Sequence, residues 1–186
     1  VSNVNLTSSY SGSTCDAAGM AVYIHKDARI TFDDCVVMGT FNGTESGRAG
    51  MSGFVGTFQK GTCILNNCLY LGESNAKSNS SSYTFAANAT IKNCYYLKTC
   101  GDKQGEQVTK DQLKNGEVAY KLQARRNNMV WGQDLNKDTE PLLTGNDAKR
   151  VRKVEFTYNN RVKATRYANS GKTIYGSMPT FTPVSY

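Results

Sequence analysis

Six cysteines, one histidine, a pair of adjacent aspartates and one dense basic run are the residues whose types could carry chemistry. Asp33 and Asp34 are the catalytic candidates. Clustered carboxylates supply the acid and base that cleave a polysaccharide. Neighbours on an extended strand, however, leave on opposite faces, so the pair cannot line one cleft together. His25 has no second histidine and no His/Cys spacing around it, which predicts no metal site and a solvent-facing strand position. A nucleophilic cysteine needs a base beside it and some exposure, and one histidine cannot serve several thiols. Lys149, Arg150, Arg152 and Lys153 form the binding candidate, suited to an anionic glycan or cell-wall polymer. The plainer reading of that run is the solvated side of a strand. No nucleic-acid motif accompanies it, so nucleic acid is not expected as a partner. Arg166 stands where a phosphate-binding loop ending at Gly171-Lys172-Thr173 would require its first glycine. No cofactor is expected.

The elements that would position these residues come from an internal repeat. Val1-Ser2-Asn3-Val4, Phe32-Asp33-Asp34-Cys35, Leu65-Asn66-Asn67-Cys68 and Ile91-Lys92-Asn93-Cys94 align without gaps, at intervals of 31, 33 and 26 residues. Each continues into strand-forming residues, such as Val36-Val37, Leu69-Tyr70 and Tyr95-Tyr96. Gly19-Met20-Ala21-Val22 and Gly53-Phe54-Val55-Gly56 precede two of the units, and Tyr83-Thr84-Phe85-Ala86-Ala87 fills the slot before the last. Thr40–Ala49 and Glu73–Ser82 are polar loops between them.

Repeats of this length with short strands and no helix predict a mainly β fold, a parallel β-helix of about three coils. One coil cannot bury its apolar face alone, whereas stacked coils align equivalent positions into a continuous core. Asp34, Asn67 and Asn93 would turn corners, since Asn and Asp tolerate the left-handed region. Cys35, Cys68 and Cys94 would follow them inward as small apolar side chains. Together these six residues form the expected structural ladder. Cys15, Cys63 and Cys100 lie off it and are free to form a disulfide whose pairing the spacing leaves open. Tyr70, Tyr95 and Tyr96 fall near equivalent positions, where outward-facing rings would stack on sugars while inward ones would fill the core.

The run Gly53-Phe54-Val55-Gly56, then Ile64-Leu65-Asn66-Asn67-Cys68 and Leu71-Gly72, resembles the GLUG motif of bacterial, Bacteroides-type surface and secreted proteins. The resemblance is fullest over residues 53–72, partial over 19–39 and weakest over 83–97, where Lys98 replaces the closing glycine. It implies a right-handed β-helix and a secreted or cell-surface location. It implies no chemistry, because the motif is a structural repeat. The expected function is therefore non-catalytic: adhesion, binding of a glycan or a host or cell-surface protein, or a structural stalk. The alternative is a polysaccharide lyase or glycoside hydrolase of β-helix type acting through Asp33, Asp34 or other loop carboxylates.

Charge divides the chain. Of a net +7, residues 1–102 contribute nothing, with seven basic and seven acidic groups, and the whole excess lies in residues 103–186. Residues 1–102 are read as the β-helix, 103–145 as a C-terminal cap with one helix, and 146–186 as a small basic β-hairpin module. In the cap, Thr109 and Gln112 form a capping box, Leu113, Val118, Ala119 and Leu122 an apolar stripe weakened at Asn115-Gly116, and Trp131 the anchor. Asn115 to Tyr120, Trp131-Gly132-Gln133 and Pro141-Leu142-Leu143 resemble the closing segment of the same Bacteroides-type proteins. In the last module Asn159-Asn160 would turn a hairpin. No run approaches the ~18 apolar residues of a membrane helix. The start at Val1, inside a repeat, predicts a processed chain or fragment with an exposed first strand edge, monomeric or weakly self-associating there.

Overall fold

The computed structural model describes residues 16–41, 50–56, 61–74, 82–124, 126–128, 130–143 and Thr157. The chain is mainly β, with small sheets and two helices, and divides into two units, Val1–Lys110 and Asp111–Tyr186. The basic run 149–153 and the Asn159-Asn160 turn lie outside the described residues.

In the first unit, short strands are set off by polar corners. The first described repeat supplies β1 (Ala17–Ala18), β2 (Arg29–Asp33), β3 (Val36–Val37) and β4 (Thr40–Phe41). The next supplies β5 (Met51–Ser52), β6 (Thr62–Asn66), β7 (Leu69–Tyr70) and β8 (Glu73–Ser74). β9 (Ala89–Lys92) and β10 (Tyr95–Tyr96) belong to the last repeat, and β11 (Glu106–Gln107) follows it. Every one of these strands pairs in parallel with its counterpart in the neighbouring repeat: β1 with β5, β4 with β8, β2 with β6 and β6 with β9, and β3, β7, β10 and β11 in succession. Parallel strands cannot be joined by a hairpin, so each pair is separated by a whole repeat of chain. The register follows the sequence alignment: Phe32 beside Leu65 beside Ile91, and Val37 beside Tyr70 beside Tyr96. Isolated parallel bridges join Ala21 to Val55 to Ala86, and Ser52 to Tyr83 to Asp102. The parallel pairing thus runs past residue 102 to Gln107.

Alternation along the strands decides which residues are buried. In β6, Cys63 and Leu65 turn inward while Thr62, Ile64 and Asn66 turn outward. The interior is a file of stacked apolar side chains around Ile24, Phe54, Leu65, Tyr70 and Phe85, with the Phe54 and Phe85 rings 5.3 Å apart. Neighbouring backbones approach closely at the first glycine of the Gly-Phe-Val-Gly run. A Cβ on Gly53 would stand 2.0 Å from the Thr84 carbonyl oxygen and 2.9 Å from the Tyr70 ring, so only glycine fits.

In the second unit the predicted single helix is two: α1 (Lys110–Lys114) and α2 (Glu117–Gln123). The break falls at Asn115-Gly116, where Gly116 takes φ 89° and the Asn115 Oδ1 accepts the Glu117 amide at 2.9 Å. A left-handed glycine and a side chain that competes for backbone donors end the first segment. β12 (Trp131–Gly132) pairs antiparallel with β13 (Leu142–Leu143). Trp131 is buried at 1% exposure, and Leu113, Val118, Ala119 and Leu122 are buried with it in this unit. Two glutamines organise the loops: Gln123 Oε1 accepts from Val130 and Trp131 amides, and Gln133 Nε2 donates to the Leu113, Lys114 and Asp138 carbonyls.

Candidate functional site

The candidate residues of the first unit converge on one corner, immediately after β2, β6 and β9. Asp34, Asn67 and Asn93 occupy it with φ of 55°, 52° and 52°. Most L-residues lose energy in that conformation, while Asn and Asp reach it through local hydrogen bonding of their short polar side chains. The corners are tied to each other. Asn93 Nδ2 donates to Asn67 Oδ1 at 2.8 Å, and the Tyr95 hydroxyl donates to Asn93 Oδ1 at 2.5 Å. The Asp34 amide donates to the Asn66 carbonyl and the Asn67 amide to the Lys92 carbonyl, both at 3.0 Å.

Asp33 and Asp34 therefore sit in different files. Asp33 faces outward, and its Oδ1 accepts a hydrogen bond from Asn66 Nδ2 at 2.7 Å. Its file continues as Asn66 and Lys92, and that of Asp34 as Asn67 and Asn93. Neither file repeats a carboxylate. His25 is solvent-facing, but in a turn rather than on a strand; its Nδ1 lies 3.5 Å from the Asp27 carboxylate, and Tyr23 packs edge-on to it. Among the described residues no group of three or more His, Cys, Asp or Glu could hold a metal ion.

Behind the corner run Cys35, Cys68 and Cys94. The Leu69 amide donates to the Cys35 carbonyl and the Tyr95 amide to the Cys68 carbonyl, both at 2.9 Å, which fixes the three at equivalent places. Cys68 and Cys94 are buried and Cys35 is partly exposed. The Cys68 thiol reaches the Phe32 carbonyl at 3.4 Å, and the Cys94 thiol the Leu65 carbonyl at 3.6 Å. Cys68 also shares hydrogen bonds with both neighbouring thiols, and these together with burial push it far up. The bond from Cys68 holds the Cys35 thiol below its ordinary value, against the opposing effects of burial and the nearby carboxylates. Cys63 and Cys100 are free thiols as well, Cys63 between Ile30 and Ala89 and Cys100 donating to the Met51 carbonyl at 3.5 Å; Cys15 lies outside the described residues.

Tyr70, Tyr95 and Tyr96 are all buried, at 0%, 5% and 2% exposure, so none offers a ring to a sugar. What faces solvent instead is the outer side of the β2-β6-β9 sheet. Thr31, Ile64 and Thr90 form one file of it, Arg29 and Thr62 a second, and Asp33, Asn66 and Lys92 a third. Strands about 4.8 Å apart make this an even, ridged surface, suited to an extended ligand more than to a small molecule. The residues the sequence had not marked as candidates are the outward ones other than Asp33, and Gln104. Gln104 Oε1 accepts the Phe85 and Ala86 amides and its Nε2 donates to the Ala86 carbonyl, so one side chain stands in for a strand. The signal for the outer files was the period-2 alternation; Gln104 had none.

Comparison of the chain with protein-family models, with curated proteins and with solved structures found no match.

Proposed function

We propose that residues 1–110 form a short right-handed β-helix of GLUG-type repeats belonging to a secreted or cell-surface bacterial protein. Its role is non-catalytic adhesion, with the outer face of β2, β6 and β9 holding a glycan or a surface protein. The support for the β-helix is the in-register parallel pairing of successive repeats around one apolar file.

The observation that carries the non-catalytic reading is the equivalence of Asp34 with Asn67 and Asn93. All share one backbone conformation, so the acid serves where an amide serves equally well. An acid or base would need a group that an amide cannot replace. Asp33, likewise, receives an amide N–H from Asn66.

Two assays test this. Incubation with a panel of acidic and neutral polysaccharides should release no products; turnover that is lost in Asp33→Asn or Asp34→Asn would establish a lyase or hydrolase instead. On an array of glycans and extracellular-matrix proteins, the chain should give reproducible binding that falls at least about tenfold in Thr31→Arg/Thr90→Glu. Such a fall corresponds to 1.4 kcal/mol of interface free energy. A blank array would leave the stalk as the role of the repeats.

A further inference from the structure

We propose that Cys35 and Cys68 form a modification site for low-molecular-weight disulfides, at which Cys35 takes up the oxidation and Cys68 resolves it into a disulfide between adjacent repeats. Geometry carries the proposal. The two cysteines hold equivalent positions on neighbouring parallel segments, fixed by the Leu69 amide on the Cys35 carbonyl at 2.9 Å and by the Val36–Leu69 pairing next to them. Paired strands lie about 4.8 Å apart, within the Cα separations of about 4.4–6.8 Å that disulfides span. Access differs along the file: Cys35 is partly exposed, whereas Cys68 and Cys94 are buried at 0% and 3% exposure. An oxidant from solvent therefore meets Cys35 first.

The two thiols differ in the direction that the first step needs, and the second requires Cys68 to lose its proton as it attacks. The hydrogen bond from Cys68 favours the thiolate of Cys35, while burial and both neighbours keep Cys68 protonated. In the first step the Cys35 thiolate attacks a disulfide RSSR; a Cys35–SR bond forms, the S–S bond of RSSR breaks, and RS⁻ leaves and takes a proton from water. In the second, the Cys68 sulfur attacks the Cys35 sulfur, the Cys35–SR bond breaks, and the departing RS⁻ carries off the Cys68 proton. Two protein thiols and one RSSR become one protein disulfide and two RSH. Cys94, at the equivalent place in the next repeat, is left as a thiol able to exchange into the bond. Cys63 and Cys100, at 1% and 0% exposure and outside this file, have no such route.

The whole chain, fully reduced, would be exposed to oxidised glutathione, quenched with iodoacetamide at intervals and mapped by mass spectrometry of proteolytic peptides. The expected product joins the Cys35 and Cys68 peptides with loss of two hydrogens, while Cys63 and Cys100 are recovered alkylated after unfolding. In Cys68→Ser, Cys35 should accumulate as its glutathione adduct. In Cys35→Ser, oxidation of Cys68 should slow at least about tenfold, because the exposed attacking thiol is gone. The native map decides the matter without either variant, should one fail to fold. A persistent glutathione adduct on Cys35 beside a free Cys68, a link from Cys35 to Cys15, or Cys35 recovered unmodified throughout would each overturn the proposal.

Discussion

Asn67 shows how much a single corner side chain carries. Its φ of 52° suits asparagine, and its Oδ1 accepts the Asn93 amide at 2.8 Å. Asn67→Ala should destabilise the chain by about 2–3 kcal/mol, the left-handed backbone contributing about 1–2 and the lost hydrogen bond about 1. Asn67→Gly, which keeps the conformation at ease, should cost only about 1 kcal/mol. Urea unfolding of the two variants separates backbone from bond, and equal losses would remove the backbone account. A second residue to test is Cys63, whose thiol burial pushes up to about 11 from the ordinary 9.0. A raised value means that the folded chain holds this proton more tightly than the unfolded chain does. Its contribution is complete below pH 9 and is lost as the pH climbs toward 11. Under reducing conditions, stability should fall between those limits, and Cys63→Ala should flatten the fall by an amount on the order of 1–2 kcal/mol. Identical slopes for both chains would show that the thiol does not titrate there. The corner was legible in the sequence because left-handed preference is a property of the residue itself. The burial of Cys63 was not, because it depends on Ile30 and Ala89 arriving on either side.

Among the elements, the edge of the last repeat makes the sharpest prediction. On the side of Phe85 and Ala86 away from Val55, Gln104 supplies both acceptor and donor to their buried backbone. Gln104→Ala leaves two buried amides and a carbonyl unmet and should cost about 2–4 kcal/mol. Gln104→Glu preserves the acceptor but sets a carboxylate against the Ala86 carbonyl that now receives Nε2 at 2.7 Å. Hydrogen exchange at Phe85 and Ala86 should accelerate in both variants, more in alanine at the amides; unchanged protection would assign the edge to other contacts. Sequence pattern anticipated the strands of this region and the apolar stripe at Leu113, Val118 and Leu122, since both follow from spacing. It also marked Asn115-Gly116 as a weak point, but whether a glycine merely loosens a helix or ends it is settled by what each half packs against. Here Gln133 takes up the Leu113 and Lys114 carbonyls and so completes the end of α1.

At the scale of the whole molecule, the first described repeat shows an open edge among the described residues. Among the described residues β1, β2, β3 and β4 each have a strand partner on one side alone. Met20, Val22, Tyr23 and Met38 in that same repeat are 43%, 46%, 50% and 53% exposed. An apolar strand edge of this kind templates pairing with another copy. Sedimentation velocity should therefore show self-association that grows with protein concentration, and Val22→Lys should suppress it. A single monomer boundary at every concentration, in native and variant alike, would mean that the edge is covered.

A local rule was enough to read much of this protein from its residues: mainly β character, recurring corners, and the offset between equivalent strands all follow from steric preference and period. Which tyrosines are inward, which carbonyls the thiols reach, and that Gln104 closes an edge follow from partners that come from other repeats or lie well along the chain. Their burial is a property of the register, and register exists only once the repeats have paired.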